Sequence, residues 1–180
     1  MMTSVSIVRE KELGTMEVLL VSPVRPLIII SAKIVPYLML SFINLATALL
    51  IAAYVLYLPM SGSLVNVILV SVLYLILSLG LGMLISTLVK SQMEAMLLSA
   101  VSMLIPVIMF SGMVFPVENM PKILQYLSCL IPARWYIDAI RKLMIEGVPF
   151  TGVISEVSIL LLMTVPIVLI AIKRFNDKLE

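Results

Sequence analysis

Charged residues whose spacing could support chemistry lie in two short segments. Residues 9–20 read Arg-Glu-Lys-Glu-Leu-Gly-Thr-Met-Glu-Val-Leu-Leu and form the most charged stretch of the chain. Further along, Arg134, Asp138 and Lys142 follow one another at i, i+4 and i+8, so on a helix they share one face. The chemistry that such patterns favour is electrostatic, because complementary charges pair within a protein or set the register in which a partner docks.

Glu156 is the one acid that falls inside a long apolar stretch. On a helix it would lie about 6 Å from the end of that stretch, at a rise of ~1.5 Å per residue. An acid inside a membrane span is a candidate functional residue by default. The alternative is an acid close enough to the membrane surface to reach lipid headgroups, or to pair with Arg134 or Arg141.

Several classes of site are excluded by composition. The chain has no His and one Cys, which excludes zinc sites, Cys/His nucleophile pairs and disulfides, and Cys129 is most simply a small apolar residue. It has no pair of carboxylates within its apolar stretches and no His-acid relay, which argues against a proton-coupled carrier and a membrane hydrolase. It also lacks the Gly-x-x-x-x-Gly-Lys-Ser/Thr loop, so any ATP-driven work must come from another polypeptide.

The elements that position these residues are membrane helices. Residues 34–89 contain no Asp, Glu, Lys or Arg, and a helix of these 56 residues would be about 84 Å long, against ~30 Å for the bilayer core. The run must therefore fold back, and its turn residues lie at 59–63. With 62% hydrophobic residues and a mean hydropathy of +1.22, the sequence predicts an all-α, multi-pass membrane protein.

The pattern predicts four complete transmembrane helices, at 36–58, 64–89, 95–117 and about 152–172. The third should bend near Pro106 and break at Ser111-Gly112. Between the third and fourth spans, short helices at about 121–130 and 133–146 should lie at the outer interface or dip in and return, the second closed by Gly147. Trp135 and Tyr136 are expected to anchor this region at the membrane boundary. In the second span, Ser78, Gly82 and Ser86 at i+4 spacing predict close approach of a helix from the same chain or from a second protomer.

The N-terminal segment combines charge with an apolar stripe. Leu13, Met16 and Leu20 fall on one face, Gly14 and Thr15 allow a sharp turn, and Ser22-Pro23 ends the stretch. Residues 1–8 resemble the end of a preceding membrane helix, and 23–35 an interfacial segment. The chain thus divides into residues 1–35, three spans over 36–117, the outer short helices over 118–150, and the last span with its tail over 151–180.

The distribution of Lys and Arg predicts the orientation. With four spans and a cytoplasmic start, eight of the twelve basic residues lie inside and four outside, which supports two cytoplasmic ends in an inner or plasma membrane. The basic residues form no single stripe, so nucleic acid is not an expected partner.

The order of several short motifs resembles one family. The segment 9–20 followed by Ser22-Pro23 resembles the cytoplasmic coupling segment in permease subunits of type-2 ABC exporters. The match continues through 33–37, 80–82, 85–87, 111–116, 119–121, 132–136 and Gly147. Each motif alone is weak, whereas their order and spacing cover nearly the whole chain.

This resemblance implies a membrane subunit that pairs with a second permease, identical or different, and with ABC ATPase subunits that bind ATP and Mg²⁺, so that the chain itself is no enzyme. It implies ATPase coupling through a set of residues in the N-terminal segment: Arg9, Glu10, Glu12, Gly14, Thr15, Glu17, Leu20 and Pro23. It implies an outer gate formed by a second set: Gly112, Pro116, Pro132, Arg134, Trp135, Tyr136 and Asp138. Such permeases usually carry two further spans before the coupling segment, which would be missing or on another chain. The predicted function is outward transport of a hydrophobic or amphiphilic substrate.

A second class of function stays open. A channel, a secondary carrier or a scaffold subunit would need no ATPase. A carrier should show inverted repeats with interrupted helices in both halves, and none is visible in the sequence. A membrane enzyme is third, because no nucleophile-base or metal constellation is present.

Overall fold

The computed structural model describes residues 2–13, 26–57, 62–112 and 116–176. The helices in these ranges are α1 (Met2–Glu12), α2 (Pro26–Tyr54), α3 (Leu64–Leu88), α4 (Gln92–Ser99), α5 (Ile105–Phe110), α6 (Lys122–Cys129), α7 (Pro132–Met144) and α8 (Ile154–Asn176). A π-helical turn, Ala100–Leu104, joins α4 to α5, and 3-10 turns at Val117–Asn119 and Phe150–Val153 precede α6 and α8. These ranges contain no β-strand.

Four helical segments are long and apolar enough to cross a membrane. They are Ile34–Tyr54, Leu64–Leu88, Gln92–Phe110 and Phe150–Arg174. The predicted all-α, multi-pass fold with four membrane helices is therefore confirmed. These segments differ widely in how much of them is buried inside the chain. In the most apolar stretch of α2 no residue is buried, whereas 44% of the residues in the corresponding stretch of α3 are buried.

Helix α3 is the central element of the bundle. Near its start it shares a core cluster with α7 and α8, which includes Val70, Leu143 and Leu160. Near its end, Met83 packs with Ile7 of α1 and Ala171 of α8. Because lipid tails are as apolar as these side chains, the helices are held together by close packing and polar contacts rather than by burial from water.

Two glycines allow the close approach of neighbouring helices to α3. A Cβ at Gly80 would lie 3.1 Å from Val168 Cγ2 on α8, and a Cβ at Gly82 would lie 3.3 Å from Thr3 Cβ on α1. Residues two apart on a helix point about 200° apart, so each glycine receives a different neighbour. Within the motif predicted for close approach, Gly82 thus contacts a helix of the same chain.

Helix α1 contains residues of two segments that the sequence analysis described separately. Residues 1–8, predicted to be the end of a preceding membrane helix, continue without a break into the first residues of the charged segment, because one helix extends from Met2 to Glu12. No Gly or Pro interrupts this stretch before Gly14, so nothing ends the helix at residue 8. Ser4, Ile7 and Val8 are fully or almost fully buried. The Ser4 hydroxyl lies 2.8 Å from that of Ser99, which links α1 to α4.

Helix α2 extends beyond the first predicted span. Pro36 was expected to start that span, and the part of the helix that is long and apolar enough to cross a membrane begins at Ile34. The helix itself begins at Pro26 and passes through Pro36. An internal proline costs one backbone hydrogen bond, which membrane helices tolerate. Pro26 at the first position has its φ angle already fixed for a helix and lacks an N–H that would have no partner there. The helix ends at Tyr54 rather than at residue 58.

The third span is interrupted by a π turn just before Pro106. The amide of Ile105 donates to the carbonyl of Ala100, an i to i−5 bond of the π turn, and Pro106 follows directly. This wider turn lets the chain accommodate a residue that has no N–H to donate. At the far end, Gly112 has φ of +80°, a left-handed conformation that glycine adopts at no steric cost. The expected break at Ser111-Gly112 is confirmed.

The short helices α6 and α7 agree with their predicted ranges to within two residues. Pro132 stands at the first position of α7, and Gly147, with φ of +65°, follows its end. Leu143 of α7 approaches the turn before α3 so closely that a Cβ at Gly62 would overlap its carbonyl oxygen. Helix α7 therefore lies directly against the start of α3, and the residues on its inner face, Ala133, Ala139, Leu143 and Met144, are buried.

We predict that Gly82→Leu separates α1 from α3, because the added side chain must displace Thr3 and the backbone beside it. Purified Gly82→Leu protein should lose several degrees of midpoint temperature in detergent, whereas Gly82→Ala should lose little, since the neighbour need shift only by tenths of an ångström. Ala46→Leu on the exposed face of α2 is the control for added volume. Equal midpoints for Gly82→Leu and Ala46→Leu would contradict the close-packed contact.

Candidate functional site

Two ends of the bundle carry the polar residues. At one end, called the α1 end, Glu12 of α1 meets the start of α4, near the last residues of α3. At the opposite end, called the α7 end, α6 and α7 lie against the start of α3 and of α8. Of the residues that the sequence singled out, Arg9, Glu10 and Glu12 lie at the α1 end, and Arg134, Trp135, Tyr136 and Asp138 lie at the α7 end.

The α1 end is organised by a contact between Glu12 and the N-terminus of α4. Glu12 Oε1 accepts a hydrogen bond of 3.1 Å from the backbone amide of Gln92, and Oε2 accepts one from the Gln92 side-chain amide. The first amides of a helix lack partners within the helix, and their partial positive charge favours a carboxylate. Glu12 thus caps a helix that lies 80 residues further along the chain.

Local residues complete the same cap. Ser91 Oγ accepts from the amide of Glu94 at 3.2 Å, and the Glu94 carboxylate accepts from the amide of Lys90 at 3.1 Å. This resembles the capping box of a Ser-x-x-Glu sequence, except that Glu94 accepts from the amide one residue before the N-cap Ser91. The start of α4 is therefore held by two carboxylates, one from its own first turn and one from α1.

The predicted coupling residues are partly visible. Arg9, Glu10 and Glu12 occupy the last turn of α1, with Arg9 and Glu12 exposed. Gly14, Thr15, Glu17, Leu20 and Pro23 lie outside the described residues. The sequence analysis did not identify Gln92 as the partner of Glu12. The Ser91-x-x-Glu94 pattern marks the start of α4, and it could have indicated where a further capping carboxylate would bind.

At the α7 end, Arg134 joins α6 to α7. Its Nη1 donates to the carbonyl of Gln125 at 3.2 Å, to the Ser128 hydroxyl and to Cys129 Sγ at 3.2 Å. Its Nε lies 3.9 Å from the Asp138 carboxylate, one turn along the same helix. Burial raises the pKa of Asp138, and the charge of Arg134 opposes this shift. Arg134 and Asp138, two of the predicted gate residues, are thus brought together.

The two aromatic residues expected at the membrane boundary have partners inside the bundle. Trp135 donates from its indole N–H to the carbonyl of Cys129 at 3.0 Å. Tyr136 stacks on Tyr74 of α3, with ring centroids 4.3 Å apart and planes 8° apart. Its hydroxyl lies 3.1 Å from Ser71 Oγ, and because Ser71 gives its proton to the carbonyl of Val67, the tyrosine is the donor. The Trp135 contact joins α7 to the end of α6, and the Tyr136 contacts join α7 to α3.

Glu156 forms an ion pair with Lys142. Lys142 Nζ donates to Oε1 at 2.7 Å, the Ser155 hydroxyl donates to Oε2 at 2.7 Å, and Glu156 is only 6% exposed. The hydrogen bond to Glu156 raises the pKa of Lys142, so the lysine stays protonated across the physiological range. The sequence proposed Arg134, Arg141 or a headgroup as partners. Lys142 could have been found, because it lies seven residues before Pro149 and Glu156 seven residues after it, as expected for facing positions of a helical hairpin.

The other predicted gate residues lie apart from this group. Gly112 ends the third span, and Pro116 precedes the 3-10 turn that leads to α6. Ser111, beside Gly112, is fully buried, and its hydroxyl has no hydrogen-bond partner among the described residues. In the second span, Ser78 and Ser86 donate to carbonyls of their own helix, those of Tyr74 and Met83.

The polar residues of both ends make contacts between separate helices. In the part of the chain that the structure describes, no group of three or more His, Cys, Asp or Glu could hold a metal ion. The polar contacts join one helix to another: α1 to α4 through Glu12, α6 to α7 through Arg134, α7 to α3 through Tyr136, and α7 to α8 through Lys142.

We predict that Lys142→Met destabilises the protein more than the double variant Lys142→Met/Glu156→Gln. The single change leaves a buried carboxylate without its cation, which costs about 1–3 kcal/mol, whereas the double change leaves neutral groups. Midpoint temperatures of the purified variants in detergent measure this order. Arg141→Met, on the exposed side of the same helix, is the control. A double variant less stable than Lys142→Met would contradict the role of the pair.

The comparisons with known proteins agree with this architecture. Residues 1–173 match the family described as ABC-2 family transporter protein. The chain is 31% identical over 178 residues to "Probable multidrug ABC transporter permease YbhS" of Escherichia coli K12, covering 98% of this chain and 46% of that protein. It is 36% identical over 144 residues to "Probable multidrug ABC transporter permease YbhR" of the same organism, covering 80% of this chain and 39% of that protein.

A more distant relative is "ABC transporter G family member 20" of Dictyostelium discoideum, 28% identical over 178 residues, with 98% of this chain and 24% of that protein covered. No solved structure matches. The chain spans about half the length of the curated relatives it matches, or less. The family match covers residues 1–173, and the structure has four helical segments that could cross a membrane. This chain therefore belongs to the ABC-2 family of transporter proteins.

Proposed function

We propose that this chain is the membrane permease part of an ABC exporter, which moves a hydrophobic or amphiphilic substrate outward with energy from ATP. The observation that carries the proposal is the Glu12 contact in a chain of this family: a charged helix end joined to the start of a membrane span is suited to pass on movement. The chain carries no phosphate-binding loop, so ATP and Mg²⁺ would bind to a partner.

The proposed assembly contains a second permease and ABC ATPase subunits. The second permease would be another copy of this chain or a different one. The ATPase would dock at the α1 end, where Arg9, Glu10 and Glu12 lie on the last turn of α1. Complementary charge on the ATPase would then set the docking register.

Orientation follows from the same assignment. Of the basic residues in the described ranges, six lie toward the α1 end, namely Arg9, Lys11, Lys33, Lys90, Lys173 and Arg174, and four lie toward the α7 end, namely Lys122, Arg134, Arg141 and Lys142. The positive-inside rule then favours a cytoplasmic α1 end, both termini inside, and α6 and α7 at the outer face of an inner or plasma membrane. In this arrangement the Arg134, Tyr136 and Lys142 contacts would hold the outer gate.

The substrate class is inferred from the names of two relatives and from the side chains of the spans. Two relatives carry "multidrug" in their names. The spans of this chain offer aliphatic and methionine side chains with scattered hydroxyls, which suits uncharged or amphiphilic compounds better than ions.

The proposed coupling route runs from α1 to α4. Closure of the ATPase dimer would push the end of α1, and Glu12 would pass this displacement to the start of α4. Helix α4 continues through the π turn and α5 toward the outer face, so a push at Gln92 would reach the region of Gly112. A bundle with rigid helices and one interrupted span transmits movement as rigid bodies that meet at a hinge.

The first test is biochemical. The complete transporter that contains this chain, purified with its partner ATPase and placed in vesicles, should accumulate an uncharged hydrophobic dye only when ATP is present on the ATPase side. A variant ATPase that binds but does not hydrolyse ATP is the control. Dye movement that ignores ATP, or a membrane subunit that purifies without any ATPase, would favour a channel, carrier or scaffold.

The second test concerns the coupling contact. We expect Glu12→Ala to lower transport per ATP hydrolysed by about tenfold while ATPase activity persists, because α1 would move without displacing α4. The loss corresponds to about 1.4 kcal/mol. Met93→Gln, an exposed neighbour of Gln92, should transport as the unchanged protein does. Full coupling in Glu12→Ala, with stability unchanged, would show that the contact transmits nothing.

A further inference from the structure

A cavity of about 480 Å³ lies within this chain between α3, the α4–α5 span, α8 and the loop before α7. Its walls include Leu77 of α3, Met103 and Pro106 of the third span, Met163 and Pro166 of α8, and Pro132 at the start of α7. It belongs neither to the Glu12 contact nor to the charged group at the α7 end.

The cavity exists because the third span is held mainly at its two ends. At the α1 end, Ala95 packs with Val8, and Ser99 contacts Ser4. At the other end, α5 packs near α6 and α7. Between these ends the π turn carries Ser102 and Met103 on the cavity wall, and Pro106 follows it. The interrupted part of the helix therefore stands away from α3 and α8.

The cavity opens to the outside of the chain, because Leu130 and Leu162 on its wall are 77% and 73% exposed. Wall atoms that face an empty space lose the contacts that an occupant would make with them. The volume lies within the range of about 300–1,000 Å³ that holds drug-sized ligands.

The chemistry of the walls determines what can bind. No charged side chain lines the cavity. Its two serine hydroxyls are already committed, because Ser78 donates to the carbonyl of Tyr74 and Ser102 to that of Leu98. Tyr74 is the third hydroxyl-bearing residue on the wall, and the other lining side chains are apolar. Cavities with mainly apolar walls bind apolar molecules. Met103 and Met163 add unbranched side chains that adapt to different shapes.

A membrane lipid is a poorer fit than a small molecule. A lipid carries a charged or zwitterionic headgroup, and no charged residue on these walls would balance it. A compact uncharged molecule can enter entirely and leaves no polar group unpaired. We propose that this cavity is a binding site, within a single chain, for an uncharged apolar or aromatic small molecule of drug size. Its role as a cargo site rests on the proposed exporter function, whereas the binding itself does not.

Direct binding tests the site. The probe is tritiated progesterone, an uncharged and largely apolar molecule, added without ATP to the complete transporter in lipid nanodiscs. We expect saturable binding with one site per copy of this chain. Met103→Trp, which adds volume to the cavity wall, should weaken binding at least tenfold. Val101→Trp on the same π turn, where residue 101 is 59% exposed and does not line the cavity, should stay within twofold of the unchanged protein.

Three outcomes would overturn the proposal. The first is equal binding of progesterone by Met103→Trp and the unchanged protein. The second is an equal loss of binding in both tryptophan variants. The third is displacement of progesterone by palmitate at a lower concentration than by unlabelled progesterone, which would indicate a lipid tail as the occupant. Thermal midpoints and gel-filtration profiles of the variants verify that each is folded.

A parallel transport assay separates this site from the proposed function. If ATP-driven dye export persists while the cavity variant binds progesterone normally, the exporter proposal stands and the cavity proposal fails. If saturable binding is lost on Met103→Trp but no ATP-dependent export occurs even in the unchanged protein, the cavity proposal stands and the exporter proposal fails.

Discussion

Lipid tails are as apolar as leucine, so the helices of this protein gain little by hiding apolar surface from their surroundings, and their arrangement depends on how closely their backbones approach. The contact that sets the rest is that of α3 with α1 on one side and α8 on the other. Gly80 and Gly82 make it possible, because at each position a side chain would meet the neighbouring helix at 3.1–3.3 Å. Once α3 is placed between these helices, its two ends define where the polar residues of the chain can meet.

At both ends the polar contacts join separate helices rather than stabilising single ones. Glu12 of α1 caps α4, and Lys142 of α7 pairs with Glu156 of α8. In the Lys142–Glu156 pair only the carboxylate is buried. Such a pair contributes little net stability when compared with apolar packing, but removing the cation leaves a buried charge without a partner, which is costly. Such contacts therefore specify which helices lie together. In a transporter of this family, they are also suited to keep the ends of the bundle rigid while a span between them moves.

The third span differs from its neighbours in being interrupted at its middle and anchored at its ends. The π turn before Pro106 and the left-handed Gly112 divide it into segments, and the wall of the cavity is formed by the interrupted part. One feature of the sequence, a proline within an apolar helix, thus accounts for the π turn and the space beside it. This geometry joins the proposed route of movement from Glu12 to the proposed binding site, because both involve the same helix.

The sequence by itself determined the fold class, the number of spans, and the approximate limits of α3, α6, α7 and α8, because apolar runs, turn residues and prolines act locally. It did not show that the helix of the first span extends back through Pro36 to Pro26, because tolerance of an internal proline depends on how the freed carbonyl is accommodated. Only the tertiary structure decided which charges meet. The partner of Glu12 lies 80 residues away, and Glu156 pairs with Lys142 rather than Arg134 or Arg141, because the rotation of each helix about its axis is set by packing against its neighbours. The cavity has the same origin, since an unfilled space depends on the positions of four elements at once and no local pattern of residues encodes it.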